Sequence, residues 1–378
     1  GLLDLQTIMH DPALRKQHEA RARELFKTRT AQEWEDLIAG AGSEGAMCRT
    51  SAEWFDHPHA WGSEMILEVD DPNFGKMLQP GVNARLSKSP GRVRGPAPKP
   101  DQHRAEILQE IETAQPMAPG ENLEAQLKSA LQGVKVLDLC IILAGPTCGR
   151  TLAEFGADVI KIDSPTRAAV ASHNDVNRAK KSIVLDLRSD EGLAAAKKLV
   201  ASADVVVENF RPGVMGRLGL DYATLAAGHE DLIYFAISGF GQTGPRAKEP
   251  AYAPVVQAGS GLDLAQMGYQ DELTKPEACG IFTADVLSAV YAFGAIQTAL
   301  ISKFRHGTGQ FIDVALMDAI INLLIYEVQL AQFPDTPPRI LYSPSRTNDG
   351  FIIITPISQK QFVDFAAAIG QPELLDDP

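Results

Sequence analysis

The segment GVKVLDLCIILAGPTCGRTLAEFGADVIKI, residues 133–162, decides the fold. It contains two short runs rich in Val, Ile and Leu, 134–139 and 158–162, separated by a helix-like stretch that ends at Gly156. Near-continuous apolar strands are typical of a parallel sheet covered on both faces, and parallel neighbours need a crossover between them. The segment therefore predicts one strand–helix–strand unit.

The same alternation continues towards the C-terminus. Helix-like segments separate most of the later strands, and the longest of them covers 282–304. This pattern predicts an α/β fold with a Rossmann-like, doubly wound parallel sheet. In the first unit we expect a turn at Gly145-Pro146 and a helix over 147–155. The later apolar runs lie at 182–187, 204–208, 232–237 and 310–316.

Composition divides the chain into four parts. Near the N-terminus, Thr30 and Glu33 have the spacing of a capping box, which predicts the start of a helix. Pro116 and Pro119 mark a linker-like stretch. The predicted parts are an N-terminal segment (1–106), a linker (107–132), a large domain (133–334) and a C-terminal segment (335–378).

The overall composition excludes several classes of protein. The 378 residues include 35 basic and 48 acidic side chains, giving a net charge of −13, and 45% are hydrophobic. We expect no nucleic-acid or anionic-membrane partner, because both attract clustered positive charge. No apolar run reaches ~18 residues and no signal peptide is visible, so we expect no membrane span and a cytoplasmic protein. The four cysteines show no C-x-x-C spacing, so we expect neither a disulfide framework nor a bound metal.

Residues 239–244, GFGQTG, match the dinucleotide-binding pattern G-x-G-x-x-G and follow an apolar strand. In that motif the glycines open a helix whose N-terminus holds a pyrophosphate. Pro245 follows here and no helical pattern begins, so we expect no NAD. We interpret Gly239, Gly241 and Gly244 as a mobile loop bordering a site, with a plain surface turn as the alternative.

Candidate binding residues stand where predicted strands end. Open α/β sheets bind ligands at the carboxyl ends of their strands, and Leu143-Ala144 and Asn209-Phe210 follow two such ends. An amide and an aromatic ring suit an adenine ring, whereas the alternative for Asn209 is a helix cap. The basic run at Lys180 is either a solvated face or a local anion site in an acidic protein.

Asp285 stands at the start of the long apolar helix predicted over 282–304. One interpretation is a helix N-cap. The other is a carboxylate in a partly apolar site at a helix N-terminus, where it stays ionised and can attack an acyl carbon. The residues alone leave both interpretations open.

Together these segments resemble the class III CoA-transferases, the CaiB/BaiF family. The resemblance implies a Rossmann-like, CoA-binding large domain and, over 335–378, the start of a smaller α/β domain, in subunits that interlock as a ring-like homodimer. It implies that residues 1–106 are a small-domain remnant and return segment of a CoA-transferase repeat. It implies coenzyme A and acyl-CoA as substrates, with no metal and no NAD. The matching pieces are VLDL (136–139) with AGP (144–146), LAEFGADVIKI (152–162), NRAKKSI (177–183), DVVVENFRPG (204–213), SGFGQTGP (238–245) and GTGQ (307–310) with DVALMDA (313–319).

The resemblance also implies roles for residues, as in an EC 2.8.3-type transferase. Asp285 matches the nucleophile, which would attack an acyl-CoA donor to give an aspartyl anhydride. An aspartyl-CoA thioester would follow, and CoA would then pass to a carboxylic acid acceptor. Gly239, Gly241 and Gly244 would belong to a lid that excludes water. The residues implied to hold CoA are Leu143, Ala144, Lys180, Asn209, Phe210 and Arg217.

The N-terminal third resembles the same family, but its pieces, such as PGV at 80–82, match the family's carboxyl-terminal part. A tail therefore precedes a head, which indicates either a fragment across two tandem repeats or a permuted unit. Tandem members include the dimethylsulfoniopropionate CoA-transferase/lyase type, which acts on a sulfonium acid and adds a lyase step; carnitine CoA-transferase is a relative with a similarly cationic substrate. Trp34, Trp54 and Trp61 are then either an aromatic cage for an onium group or ordinary core.

Two other functions stay open. A 2-methylacyl-CoA racemase-like enzyme needs a base at the position of Tyr252, where the family's racemases have a histidine. A catalytically silent scaffold half of a tandem protein would be free to lose Asp285, which is present in its full context.

Overall fold

The fold is seen in a computed structural model. It describes residues 13–14, 24–41, 45–71, 75–81, 84–88, 90, 129–166, 173–268, 274–334, 345–346, 348, 351–352, 360–361 and 363. The predicted linker up to residue 128 and nearly all of 335–378 lie outside these residues. The division of the chain into four parts therefore stays a prediction.

The described elements begin with three short helices and three short strands, and a strand–helix alternation follows. In chain order they are α1 (Ala31–Gly40), α2 (Ser51–Phe55), α3 (Pro58–Gly62), β1 (Ile66–Asp71), β2 (Gly75–Pro80), β3 (Arg85–Leu86), β4 (Lys135–Asp138), α4 (Ala144–Glu154), β5 (Asp158–Asp163), α5 (His173–Val176), β6 (Lys181–Val184), α6 (Asp190–Val200), β7 (Val205–Glu208), α7 (Val214–Arg217), α8 (Tyr222–Ala226), β8 (Ile233–Ser238), α9 (Ala253–Ser260), α10 (Leu262–Gly268), α11 (Thr283–His306), β9 (Phe311–Ala315), α12 (Leu316–Leu323), α13 (Ile325–Gln332), β10 (Ser345–Arg346) and β11 (Phe351–Ile352).

One seven-stranded sheet organises these elements, in the order β3-β9-β8-β7-β4-β5-β6. All neighbours are parallel except β3 and β9. From β6 to β9 the six parallel strands follow the 3-2-1-4-5-6 order of a doubly wound sheet, so the order reverses between β4 and β7. The predicted Rossmann-like parallel sheet is confirmed, and all six predicted strands belong to it.

Apolar side chains cover both faces of the sheet, as the near-continuous Val and Ile runs require. Successive residues of a strand point to opposite faces. Val136 packs in one buried cluster with residues of α4 and α11. Leu137 packs in a second cluster with Ala196 and Val200 of α6.

The helix α4 begins three residues earlier than predicted, because Gly145-Pro146 lies in its first turn and not in a preceding turn. A helix leaves its first N–H groups without intrahelical partners, so a proline there removes no hydrogen bond. At α1 the prediction is confirmed: Thr30 caps the helix, and Glu33 completes the capping box.

The N-terminal segment contributes directly to the sheet and its core. In β3, Arg85 pairs with Asp313 and Leu86 with Ile312 of β9, so β3 covers an edge of the sheet that would otherwise be open. Trp54 of α2 is fully buried in the same cluster as α4 and α11. The two strands that precede β3 in the chain, β1 and β2, form a separate antiparallel hairpin.

Helix α11 is long and apolar enough, by length and composition alone, to cross a membrane. Half of its apolar window is buried inside this fold, where α11 packs on α4 and on β8. A core helix of an α/β domain has the same composition, so the helix is accounted for by the packing seen here.

Two glycines within helices test this packing in opposite directions. A Cβ at Gly149 of α4 would lie 2.5 Å from Asp138 Oδ2 and 3.1 Å from Lys180 Nζ, whereas Gly294 of α11 has no atom within 4 Å of its Cβ position. We expect Gly149→Ala to lower the free energy of unfolding by about 1–3 kcal/mol. Gly294→Ala should raise it by up to about 1 kcal/mol, because glycine is a poor helix former. Urea unfolding followed by circular dichroism measures both, and a Gly149→Ala variant as stable as the wild type would contradict the packing.

Candidate active site

A pocket of about 300 Å³ opens beyond the carboxyl ends of β4 and β7, where the strand order reverses. Ligands of open α/β sheets bind at this position. Its walls come from the segments after β4 and β7, the end of β8 and the first turn of α11. We call it the switch-point pocket. Six of the ten predicted site residues line it: Leu143, Ala144, Asn209, Phe210, Gly239 and Asp285.

Asp285 is the third residue of α11, whose N-cap is Phe282, so the simple N-cap interpretation is wrong. Its side chain is largely buried, with 8% exposed, and burial raises the pKa of this carboxyl to about 6. Within the described part of the chain, no cation forms an ion pair with this carboxylate. The Ser288 hydroxyl donates to the backbone oxygens of Ala284 at 2.7 Å and Asp285 at 3.0 Å, which orders this first turn.

The chain between β4 and α4 turns sharply to form one wall of the pocket. Ile142 has a φ of +67°, a left-handed conformation that a β-branched residue rarely adopts. Such conformations are costly, on the order of 1–3 kcal/mol, and persist only where neighbouring structure holds them. The turn delivers Leu143, the N-cap of α4, and Ala144, its first residue, to the pocket.

Asn209 holds this turn from the neighbouring strand. Its side-chain Oδ1 accepts a hydrogen bond of 2.8 Å from Ile141 N, and its Nδ2 donates one of 2.7 Å to Ile141 O. Both polar ends of the amide are thus used on one backbone unit, as in a strand pairing. Asn209 joins the end of β7 to the end of β4, and it does not cap a helix.

Lys180 lies beneath the same turn and does not line the switch-point pocket. Its Nζ donates to Asp138 Oδ2 at 2.7 Å, Pro146 O at 2.8 Å and Asn177 Oδ1 at 3.0 Å. The side chain is 1% exposed, so the three donors of the ammonium are used inside the protein. Through Pro146 O, Lys180 stabilises the first turn of α4. A direct role in holding CoA phosphates stays a prediction.

A second, wider cavity of about 600 Å³ lies beside the switch-point pocket. Phe210 lines both cavities, together with Ile141 and Val214. The predicted residue Arg217, at the end of α7, lines the wider cavity but not the switch-point pocket. Arg188 lines it from the segment after β6; this residue was not predicted, because an exposed arginine in a polar segment carries no distinctive pattern.

The glycine loop starts at the pocket and then leaves it. Gly239 lines the pocket, whereas Gly241 and Gly244 do not. Gln242 N donates to Asp313 Oδ2 at 2.9 Å, and Met317 N donates to Gly239 O at 3.1 Å. The next helix after β8 begins only at Ala253, which confirms that the loop opens no pyrophosphate-binding helix. Its mobility as a lid stays a prediction.

Ser238 is a pocket residue that sequence reasoning missed. It is the last residue of β8, it is buried, and its Oγ has no hydrogen-bond partner among the described residues. A serine at the end of an apolar strand gives no signal by itself. Tyr252, which takes the position of the racemase base, lines the same pocket and is half exposed.

The three tryptophans make separate contacts. Trp54 stacks on His57, Trp34 meets Phe26 edge-on, and Trp61 Nε1 donates to Phe55 O. In the described part of the chain no ring contact joins two tryptophans, so the aromatic-cage interpretation has no support here.

The Asn209 bridge can be tested by removing its amide. Asn209→Ala loses both hydrogen bonds to Ile141, so the strained turn should relax and the predicted binding of CoA should weaken about tenfold. The matched control is Asn322→Ala, because Asn322 donates to Asp318 O at 2.9 Å outside the pocket. Isothermal titration with CoA measures the affinity. Equal affinities of Asn209→Ala and wild type would contradict the positioning role of the bridge.

Comparison with known proteins agrees with this geometry. The sequence profile of CoA-transferase family III matches residues 3–104 and 131–378. The succinate–glutarate CoA-transferase of Agrobacterium fabrum is 37% identical over 278 residues, covering 66% of this chain and 69% of that protein. The human succinyl-CoA:glutarate CoA-transferase is 33% identical over 269 residues, covering 65% of this chain and 61% of that protein.

Solved structures give the same result. A CaiB/BaiF family protein from Brucella suis superposes with a TM-score of 0.57 at 36% identity, covering 66% of this chain and 72% of that one. Rv3272 from M. tuberculosis gives a TM-score of 0.59 at 32% identity, covering 66% and 69% of the two chains. The chain thus spans about two thirds of the length of the relatives it matches. The predicted resemblance is confirmed, and the chain belongs to CoA-transferase family III, the CaiB/BaiF family.

Proposed function

We propose that this protein transfers CoA from an acyl-CoA donor to a carboxylic acid, with Asp285 as the nucleophile. One observation carries the proposal: a largely buried carboxylate in the first turn of α11, with no ion-pair partner among the described residues, lines the pocket at the strand-order reversal. A structural carboxylate at such depth is normally paired. A carboxylate kept unpaired beside an open cavity is suited to reaction.

The two cavities differ in size and in the residues that line them, and each would take one end of an acyl-CoA. The wider cavity has exposed guanidinium groups of Arg188 and Arg217 on its wall, and arginine is well suited to binding phosphates. The switch-point pocket contains Asp285 and is smaller. Because both are lined by Phe210, a CoA whose nucleotide lies in the wider cavity would extend past this ring and bring its thioester to Asp285.

The chemistry consists of four exchanges at carbonyl carbons. The Asp285 carboxylate attacks the donor thioester, the C–S bond breaks, and a mixed anhydride and CoA thiolate form. The thiolate then attacks the aspartyl carbonyl of the anhydride, which releases the donor acid and leaves an aspartyl-CoA thioester. The acceptor carboxylate attacks this thioester and frees the thiolate again. Attack of the thiolate on the acceptor carbonyl gives the new acyl-CoA and regenerates Asp285.

The first turn of α4 is placed to assist these steps. Leu143, its N-cap, offers no side-chain hydrogen bond to the first N–H groups of the helix, and Leu143 and Ala144 line the pocket. Free N–H groups at a helix N-terminus stabilise negative charge. They would stabilise the oxyanion that develops at each tetrahedral stage.

The acceptor we propose is a dicarboxylic acid. The names of two relatives specify such acids: succinate–glutarate in A. fabrum and D-citramalate in Chloroflexus aurantiacus, the latter protein being 36% identical over 274 residues. A sulfonium or betaine acid with a later lyase step is the second possibility, and the separate contacts of the three tryptophans give it no cage. The assembly, a homodimer or a tandem partner within one polypeptide, stays a prediction.

The nucleophile can be tested by trapping. Asp285→Ala and Asp285→Asn should lower transfer from succinyl-CoA to glutarate on the order of 10³-fold or more, because no covalent intermediate can form. In the wild type, acyl-CoA followed by hydroxylamine should leave a hydroxamate on the peptide that contains residue 285, detected by mass spectrometry. The control is Asp263→Asn. Asp263 is also a buried aspartate in the first turn of a helix, and burial raises its pKa, but the residue lies outside the pocket. Transfer by Asp285→Ala within tenfold of wild type would refute the assignment.

The pH dependence follows from the state of the nucleophile. The reactive form is the carboxylate, and burial raises the pKa of Asp285 to about 6. The value of kcat/KM should therefore rise as pH increases through 6 and level off above about pH 7. Initial rates from pH 4.5 to 8 with saturating acceptor measure this limb. A profile that is already level above about pH 5, as for an aspartate in its ordinary range near 4, would contradict the buried site.

A further inference from the structure

A buried imidazole connects the N-terminal segment to the glycine loop. His59 lies in α3, and none of its side chain is exposed. Its Nε2 is 2.9 Å from Phe240 O, and its Nδ1 accepts a hydrogen bond of 3.0 Å from Arg246 N. We propose that His59 is a positioning residue that ties Phe240, inside the glycine loop, to Arg246, two residues past Gly244, and thereby keeps the pocket wall closed to water. This inference rests on the proposed CoA transfer.

The two partners determine the state of the ring. A backbone carbonyl can only accept, so Nε2 carries the proton, and a backbone N–H can only donate, so Nδ1 carries none. The ring is therefore a neutral imidazole in one tautomer. Burial lowers its pKa to about 4, the neighbouring Arg246, His57 and Arg85 act in the same direction, and the hydrogen bond to Phe240 O opposes them.

The loop is shaped around this ring. Phe240 meets the imidazole edge-on, with centroids 5.5 Å apart and planes at 81°. Gly244, at a φ of +88°, brings its backbone so close that an added Cβ would lie 2.7 Å from Nδ1 of His59. A side chain at residue 244 would push the ring away, so the last glycine of the motif serves the contact with His59.

A second buried contact holds the same end of the loop. The Arg246 guanidinium lies over the Phe240 ring at 4.3 Å and is 3.0 Å from Glu35 Oε1 of α1. Glu35 also pairs with Arg49, and all three charged side chains are buried. Charge–charge pairs in the interior are costly to break, since the remaining partner is left unpaired. The N-terminal segment therefore fixes the loop at two points.

Holding this loop matters for the chemistry because the loop starts on the pocket wall. Ser238 and Gly239 line the pocket, and Phe240, whose carbonyl His59 binds, is the next residue. The aspartyl anhydride and thioester both react with water, which would give the free acid and CoA instead of transfer. A loosened loop admits water, so the ratio of hydrolysis to transfer reports the position of the loop. A loss of folded protein lowers both rates together and leaves this ratio unchanged.

The test compares four substitutions with the wild type. His59→Ala removes both hydrogen bonds, whereas His59→Gln can donate to Phe240 O and accept from Arg246 N with its amide. With succinyl-CoA as donor and glutarate as acceptor, we expect His59→Ala to raise the ratio of hydrolysis to transfer at least tenfold and His59→Gln to restore it to within about threefold. His229→Ala is the matched control, because His229 contacts Asp231 at 3.2 Å, away from the loop.

Gly244→Ala approaches the same contact from the loop side and should raise the ratio as His59→Ala does. This second variant decides the question if His59→Ala fails to fold. An unchanged ratio in a folded His59→Ala or Gly244→Ala protein would overturn the inference. Hydrogen exchange of the peptide spanning 239–246 separates the two proposals: faster exchange in His59→Ala supports the positioning role even if Asp285 proves not to be the nucleophile, and unchanged exchange refutes it.

Discussion

The ion pair between Asp138 and Lys180 is the interaction on which the rest of the site depends. Both side chains are almost completely buried, at 0% and 1% exposed. A buried charge destabilises a protein by several kcal/mol unless it is paired and hydrogen-bonded. Here Asp138 also accepts from Cys140 N, and Lys180 also binds Pro146 O. The pair is satisfied only when the end of β4, the start of α4 and the segment before β6 are all in place, and this arrangement forms the pocket wall.

Much of the fold follows from the sequence, because the six parallel strands coincide with apolar runs. Five of these strands are largely buried, and β6, at the edge of the sheet, is exposed. The edge strand β3 was not predictable in this way. Arg85 and Leu86 show no apolar run, and their strand exists only because β9 lies beside them. The start of α4 was missed for a different reason: a proline in the first turn of a helix has the same local signature as one in a turn.

The candidate site was predictable in its location but less so in its contacts. The residues after β4 and β7 meet at the strand-order reversal, as the topology requires. Asn209 and Lys180 were expected to hold CoA, yet their side-chain hydrogen bonds are used inside the protein. His59 was not singled out, because the aromatic-rich stretch around it gives no local sign of its contacts with Phe240 and Arg246. Such contacts are set by tertiary packing across about 180 residues of sequence, which no local pattern encodes.

The pairing of β3 with β9 has a consequence for synthesis of the chain. Leu86 meets Ile312, so the edge strand leaves the ribosome some 230 residues before its partner. At about 5–20 residues per second, this interval is roughly 10–45 s. Until the large domain has been synthesised, Trp54 and Met65 lack most of the residues that bury them in the folded protein. Nascent chains of this protein therefore present a sustained target for chaperones that bind exposed apolar segments during translation.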